Sequence, residues 1–165
     1  IGPMERRLTS EQYLDSVSLL TGYWPKVDVM NVPVDDPNTR AWRHRKPDNL
    51  AVALGRPNRE QVCTQRVDES TVLQALELVN GAAMSNRLRE GAKALLASDL
   101  GREEDAAKVA RTLYLRALGR PPSDAEAALA KELLGTPKDK PEARQAAWED
   151  FLWALCMNPE MQFIR

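Results

Sequence analysis

Apolar side chains recur at spacings of three and four along Ala106–Leu134, first as Ala106, Val109, Ala110, Leu113, Ala117 and Leu118, then as Ala125, Leu129 and Leu133. Each set falls on one face of a helix. Between them Gly119 can end a helix in the left-handed conformation, and Pro121 and Pro122 cannot continue one. Ser123, with Glu126 three residues on, has the form of a capping box, and Gly135 closes the second helix. The stretch predicts a helical hairpin with small alanines at its seam.

The same signals organise the rest of the chain. Thr9 and Gln12 box the start of a helix whose stripe is Tyr13, Leu14, Val17 and Leu20, and Gly22 ends it. Over Tyr23–Asn49 the pattern dissolves. Pro25, Pro33, Pro37 and Pro47 break any helix, and apolar residues come singly. A long irregular excursion is expected there, with any strand short and confined to Tyr23–Ala53. Leu50–Leu54 is a short apolar run, and Arg56–Asp68 is expected to wind over the surface with Val62 and Cys63 turned inward.

Ser70 opens a helix with Val72, Ala75, Leu76 and Val79 on one face, and Asn80-Gly81 ends it with residues that tolerate a left-handed backbone. Met84 and Leu88 start another, and Gly91 predicts a bend or break before Ala92, Leu95 and Leu96 resume the stripe. Asp139 caps the last helix, with Pro141 at its first position and Glu142 behind it. Phe151–Met157 is apolar all round, which implies burial on every side and puts this helix, Trp153 included, at the centre against the hairpin. Met161, Phe163 and Ile164 close the chain as a last turn. The expected fold is all-α: a compact bundle of about six helices in one domain over 1–165, with its core at about 50–165 and the irregular excursion at 23–49.

Composition sets the bounds. The chain has 165 residues, enough for one domain with a real core. A net charge of −1 exerts no global pull toward nucleic acid or an anionic membrane, and no nucleic-acid partner is expected. No apolar run approaches the roughly 18 residues that a membrane span needs. Ile1-Gly2-Pro3 ahead of Met4 points to a domain excised from a longer protein. Cys63 and Cys156 form no CxxC, haem-attachment or zinc pattern. Two buried thiols and a single disulfide in an exported protein are both open readings.

Candidate chemistry is sparse. The one histidine, His44, lies among Arg43, Arg45 and Lys46, whose charges disfavour the imidazolium, and a solvated loop position is expected. No GxSxG elbow accompanies a serine. Glu103-Glu104-Asp105 suits a helix start, where negative charge complements the dipole. Asp28, Asp35 and Asp36 match no EF-hand spacing. No catalytic, cofactor-binding or metal-ligating residue is identified, so an enzyme would have to be completed by neighbouring domains. The segment with functional colour is Arg40–Lys46. Arg40, Arg43, Arg45 and Lys46 surround Trp42, a combination that can hold sulfate, phosphate or carboxylate groups while a sugar stacks on the indole. An anionic polysaccharide is the ligand such a patch fits. The alternative is a loop whose cations pair with the acidic Asp28–Asp36 segment beside it.

Three stretches carry a resemblance: Gly55-Arg56-Pro57-Asn58-Arg59-Glu60-Gln61-Val62-Cys63, Ser70–Gly81, and Leu113–Pro122 with its Gly119-Arg120-Pro121-Pro122 turn. With the ending Trp153–Met161 and the start Arg6–Gln12, they resemble the domain of unknown function family 1553, the C-terminal domain of planctomycete cytochrome c-type multidomain proteins. The resemblance covers about Leu50 to the end and is poor over Tyr23–Asn49. It implies an exported parent, periplasmic or at the cell surface, whose other domains are this domain's partners. Any haem would lie in a separate domain, with no cofactor in this chain. It transfers no catalytic residue, and a non-catalytic structural or interaction module is the function it implies.

Overall fold

The structure, a computed structural model, describes residues 6–26, 40–41, 44, 46–57 and 71–164. The chain enters through a two-residue strand, β1 (Arg6–Arg7), and Thr9 then caps α1 (Ser10–Thr21) with the expected box. Its hydroxyl accepts the Gln12 amide hydrogen while the Gln12 side chain accepts that of Thr9. The predicted stripe is the buried face: Tyr13, Leu14, Val17 and Leu20 are all withdrawn from solvent. After the excursion, Asp48 caps the short α2 (Asn49–Ala53), which buries Leu50 and Ala51. Thr71, with Gln74, boxes the start of α3 (Val72–Asn80); Ser70, the expected opener, lies outside the described residues.

Gly81 then serves two helices at once, ending α3 and preceding α4 (Ala82–Ala97). Its φ of −67° is ordinary, so the left-handed ending expected at Asn80-Gly81 does not occur; an extended residue lets the second helix start immediately. Nor does α4 break at Gly91. The helix runs through, and a Cβ at Gly91 would come within 2.7 Å of the Thr21 side chain on α1. The missing side chain allows two helices to approach, which outweighs the propensity lost in the helix interior.

Ser98 caps α5 (Asp99–Arg102), and Asp105 caps α6 (Ala106–Leu118), as the acidic run at 103–105 predicts. The hairpin forms as expected. Gly119 ends α6 at φ 69°, and the Ser123–Glu126 box starts α7 (Asp124–Leu134). The buried face of α7 is nonetheless shifted by one residue, to Ala130 and Leu134, with Leu129 facing outward. This helix must meet both α6 and α8 (Pro141–Met157), and a stripe centred on Ala130 serves the two contacts together.

Helix α8 is central, packing against α4 and α7 and also touching α6. Its core face is Trp148, Phe151, Leu152, Leu155 and Cys156. Burial is one-sided: Trp148 is 1% exposed, whereas Trp153 is 40% exposed. The apolar run is longer than the face, and Trp153 falls about 140° from Trp148 around the helix, beyond the reach of α4 and α7. Nor does Asp139 cap α8; Lys140 occupies the cap without a side-chain bond and Pro141 takes the first position. Asn158 caps α9 (Pro159–Gln162), which leads into β2 (Phe163–Ile164).

The strands β1 and β2 pair antiparallel, Arg6 opposite Ile164 and Arg7 opposite Phe163. Strand therefore occurs outside Tyr23–Ala53, where both ends of the described chain meet and a tight pairing satisfies backbone that neither terminal helix can reach. Among the described residues the architecture is all-α apart from this pair, with nine helices of which six are eight residues or longer.

Candidate functional site

The described part of the Arg40–Lys46 segment is Arg40, Ala41, His44 and Lys46; Trp42, Arg43 and Arg45 lie outside the described residues, as do Asp28, Asp35 and Asp36. What the structure shows is how the segment is mounted. Asp15, one turn into α1 on the side facing the excursion, accepts the Ala41 amide hydrogen at Oδ1 (2.8 Å). Its Oδ2 lies 4.0 Å from Arg40 Nη1, and the Arg40 guanidinium stacks over the Trp24 ring at 5.0 Å from the centroid. Arg40 is thus half exposed and already engaged with a carboxylate and an indole.

The stronger fixture is Arg56, only 8% exposed. Its Nη1 donates to the Ala41 carbonyl (2.8 Å) and its Nη2 to the His44 carbonyl (2.7 Å), while Nε lies 3.8 Å from Glu11 Oε1 on α1. A guanidinium taken out of water must find acceptors for its planar fork of donors, and two backbone carbonyls of one loop suit that geometry. Arg56 was expected on the surface; the turn formed by Leu54-Gly55 brings it inward instead. A second buried arginine, Arg87 on α4, donates from Nη2 to Asp48 Oδ2 (3.0 Å), and Asp48 Oδ1 in turn accepts the Ala51 amide hydrogen (2.8 Å). The loop is held at one end by α1 and Arg56 and at the other by α4 through Asp48.

His44 departs from expectation in the same way. It is 5% exposed, not solvated, because its backbone is drawn inward by Arg56 and its amide bonds to the Ala41 carbonyl. Lys46 does project into solvent. Of the predicted patch, therefore, the described residues place one engaged cation, Arg40, and one exposed cation, Lys46, on a firmly anchored backbone. Sequence reasoning missed Asp15, Asp48, Arg56 and Arg87. The available signal was Arg56 itself, a charged residue held between a glycine and a proline.

Elsewhere the polar groups serve the fold. Burial pushes the Cys156 thiol up to about 12, which keeps it protonated and unreactive at neutral pH, and its sulfur is free of any disulfide. Cys63 lies outside the described residues. The Tyr13 hydroxyl donates to the Cys156 carbonyl (3.0 Å). Arg120, in the turn between α6 and α7, grips two carboxylates. Nη1 and Nη2 bond Glu126 at 2.8 and 2.9 Å, and Nε and Nη2 bond Glu160 of α9 at 2.9 and 2.8 Å. The guanidinium, joined by the Ser123 amide, holds the Glu126 carboxyl down at about 2. Among the described residues no group of three or more His, Cys, Asp or Glu side chains is placed to hold a metal ion. A crevice lined by Arg7, Leu8, Tyr13, Leu54 and Gln162 is too narrow to admit a water molecule. Among the described residues no helix is long and apolar enough to cross a membrane.

Residues 2–134 match the model of a family described as protein of unknown function (DUF1553). The match runs through the excursion as well as the hairpin, and the closing Trp153–Met161 stretch lies beyond it. No curated protein and no solved structure matches the chain.

Proposed function

The chain belongs to the DUF1553 family of proteins of unknown function, and we propose that it is a non-catalytic structural and interaction module of a larger, exported protein. The observation that carries this reading is the mounting of residues 40–48. Two buried arginines and two aspartates are committed to fixing this segment at Ala41, His44 and Asp48. Fixing backbone at these points lowers the entropy that a partner must remove on binding. The histidine and the free thiol support the non-catalytic part, since His44 is buried in that mounting and Cys156 is held protonated.

The partners proposed are the other domains of the parent polypeptide, with any haem in a separate domain. The test is calorimetric titration of this chain against the remainder of its parent, expressed separately. Saturable binding that weakens in an Arg56→Met variant supports the reading; the absence of binding overturns it.

A second reading, an anion- or glycan-binding module, is favoured by two cations of one segment, exposed Lys46 and half-exposed Arg40. Trp42, Arg43 and Arg45 would complete that site. Sulfated and uronic-acid polysaccharides titrated at low salt should bind the wild type, and should bind an Arg43→Ala/Arg45→Ala double variant more weakly. Equal binding by both proteins removes this reading.

A further inference from the structure

Helix α3 is mounted with its apolar face outward. Its buried residues are Gln74 and Leu78, and the amide oxygen of Gln74 accepts from Arg7 Nη1 (2.5 Å) on β1. The stripe that sequence periodicity assigns to one face, Val72, Ala75, Leu76 and Val79, points to solvent instead, and Leu73 joins it: Val72, Leu73, Leu76 and Val79 are 78, 57, 53 and 49% exposed. Of the ten exposed large apolar side chains among the described residues, four sit on this nine-residue helix. At 100° per residue the exposed apolar positions, with Ala75, span an arc of roughly 160°. That arc holds no charged residue, and Asn80 is its only polar one. Val52, on the neighbouring α2, is also half exposed.

We propose that this face is the centre of a two-fold interface with a second copy of the chain, a role separate from that of the anchored loop. The four side chains present roughly 400 Å² of apolar surface, in the range of the largest patch on a typical monomer, which is often functional. Against the roughly 800 Å² that each partner buries in a standard interface, that is the apolar half, with a polar rim to be supplied around it. Self-pairing also demands a surface that does not repel itself. A two-fold axis brings each residue near its own copy or that of a neighbour, and an uncharged arc meets this requirement without a complementary partner. Leu76 stands at the middle of the helix, so antiparallel packing about the axis sets Leu76 against its counterpart.

Sedimentation equilibrium of the isolated chain over a concentration series is the test, with circular dichroism confirming that each variant is folded. The wild type should dimerise. Leu76→Glu, which places like charges at the axis, should weaken dimerisation by at least about tenfold, whereas Leu129→Glu, at an exposed apolar position on α7, should leave it unchanged. Should Leu76→Glu fail to fold, Leu76→Cys under mild oxidation should give a covalent dimer in excess of any formed by the wild type. A wild type that stays monomeric throughout overturns the proposal and assigns the face to a different chain or to another part of the parent. Dimerisation unaffected by Leu76→Glu, or no excess cross-linking at Leu76→Cys, also overturns it. None of these outcomes depends on whether the loop binds.

Discussion

Arg56 Nη1 lies 2.8 Å from the carbonyl oxygen of Ala41, fifteen residues earlier in the chain, and this bond, with its twin to His44, gives the excursion a fixed attachment. Arg56→Met removes one donor from each of two carbonyls, of which that of Ala41 keeps the His44 amide, and should cost about 1–3 kcal/mol. Arg56→Lys should recover only part of that loss, because an ammonium lacks the flat fork that spans two acceptors. Denaturant melts of the three proteins measure the order. A loss below about 1 kcal/mol in Arg56→Met would mean that the mounting is dispensable.

Trp148→Ala should destabilise the domain by about 3–5 kcal/mol, since it empties the packed face between α4 and α7. Trp153→Ala, at a position 40% exposed, should cost much less. The two melts decide which face of α8 is the core.

Gly91 and Gly119 are required for different reasons, and one substitution separates them. At Gly119 the backbone is left-handed with open space around it, a conformation that asparagine adopts at small cost. At Gly91 the angles are helical but Thr21 fills the space a side chain needs. Gly119→Asn should therefore be mild, and Gly91→Asn should lose several kcal/mol through overpacking between α1 and α4. Equal losses in thermal melts would contradict this assignment.

Glu126 supplies a dependence on pH. Its carboxyl is held at about 2, below the ordinary 4.5, so folding favours the ionised form. The stability this group contributes is fully present above about pH 4.5 and is lost as pH falls toward 2. Thermal melts across that window should fall less steeply for Glu126→Gln than for the wild type. The Glu103–Lys108 pair titrates in the same direction, so the difference between the two proteins is the quantity to read. Identical acid limbs would show that the Arg120–Glu126 pair contributes nothing to stability.

Periodicity and caps made much of the helical frame legible in advance. The stripe of α1, the boxes at Thr9 and Ser123, the Gly119 ending and the place of α8 against the hairpin all follow from local rules. What local rules miss depends on neighbours. Nothing in the spacing of α3 reveals that Gln74 turns inward to meet Arg7, and nothing around Gly91 reveals Thr21 seventy residues away. The same holds at the loop. Its charged composition marked Arg40 and Lys46, but the contacts that shape it, made by Asp15 on α1, Arg87 on α4, Arg56 beyond α2 and Asp48 at its own end, became visible only when the fold brought them together.

On the proposed reading, residues 40–48 are presented to another part of the parent polypeptide, where contact should slow amide exchange. Hydrogen exchange, compared residue by residue between this chain alone and the chain within its full-length parent, measures that contact. Added protection is expected over 40–48 in the parent, with core amides of α8 unchanged. Exchange at 40–48 that is the same in both proteins would contradict it.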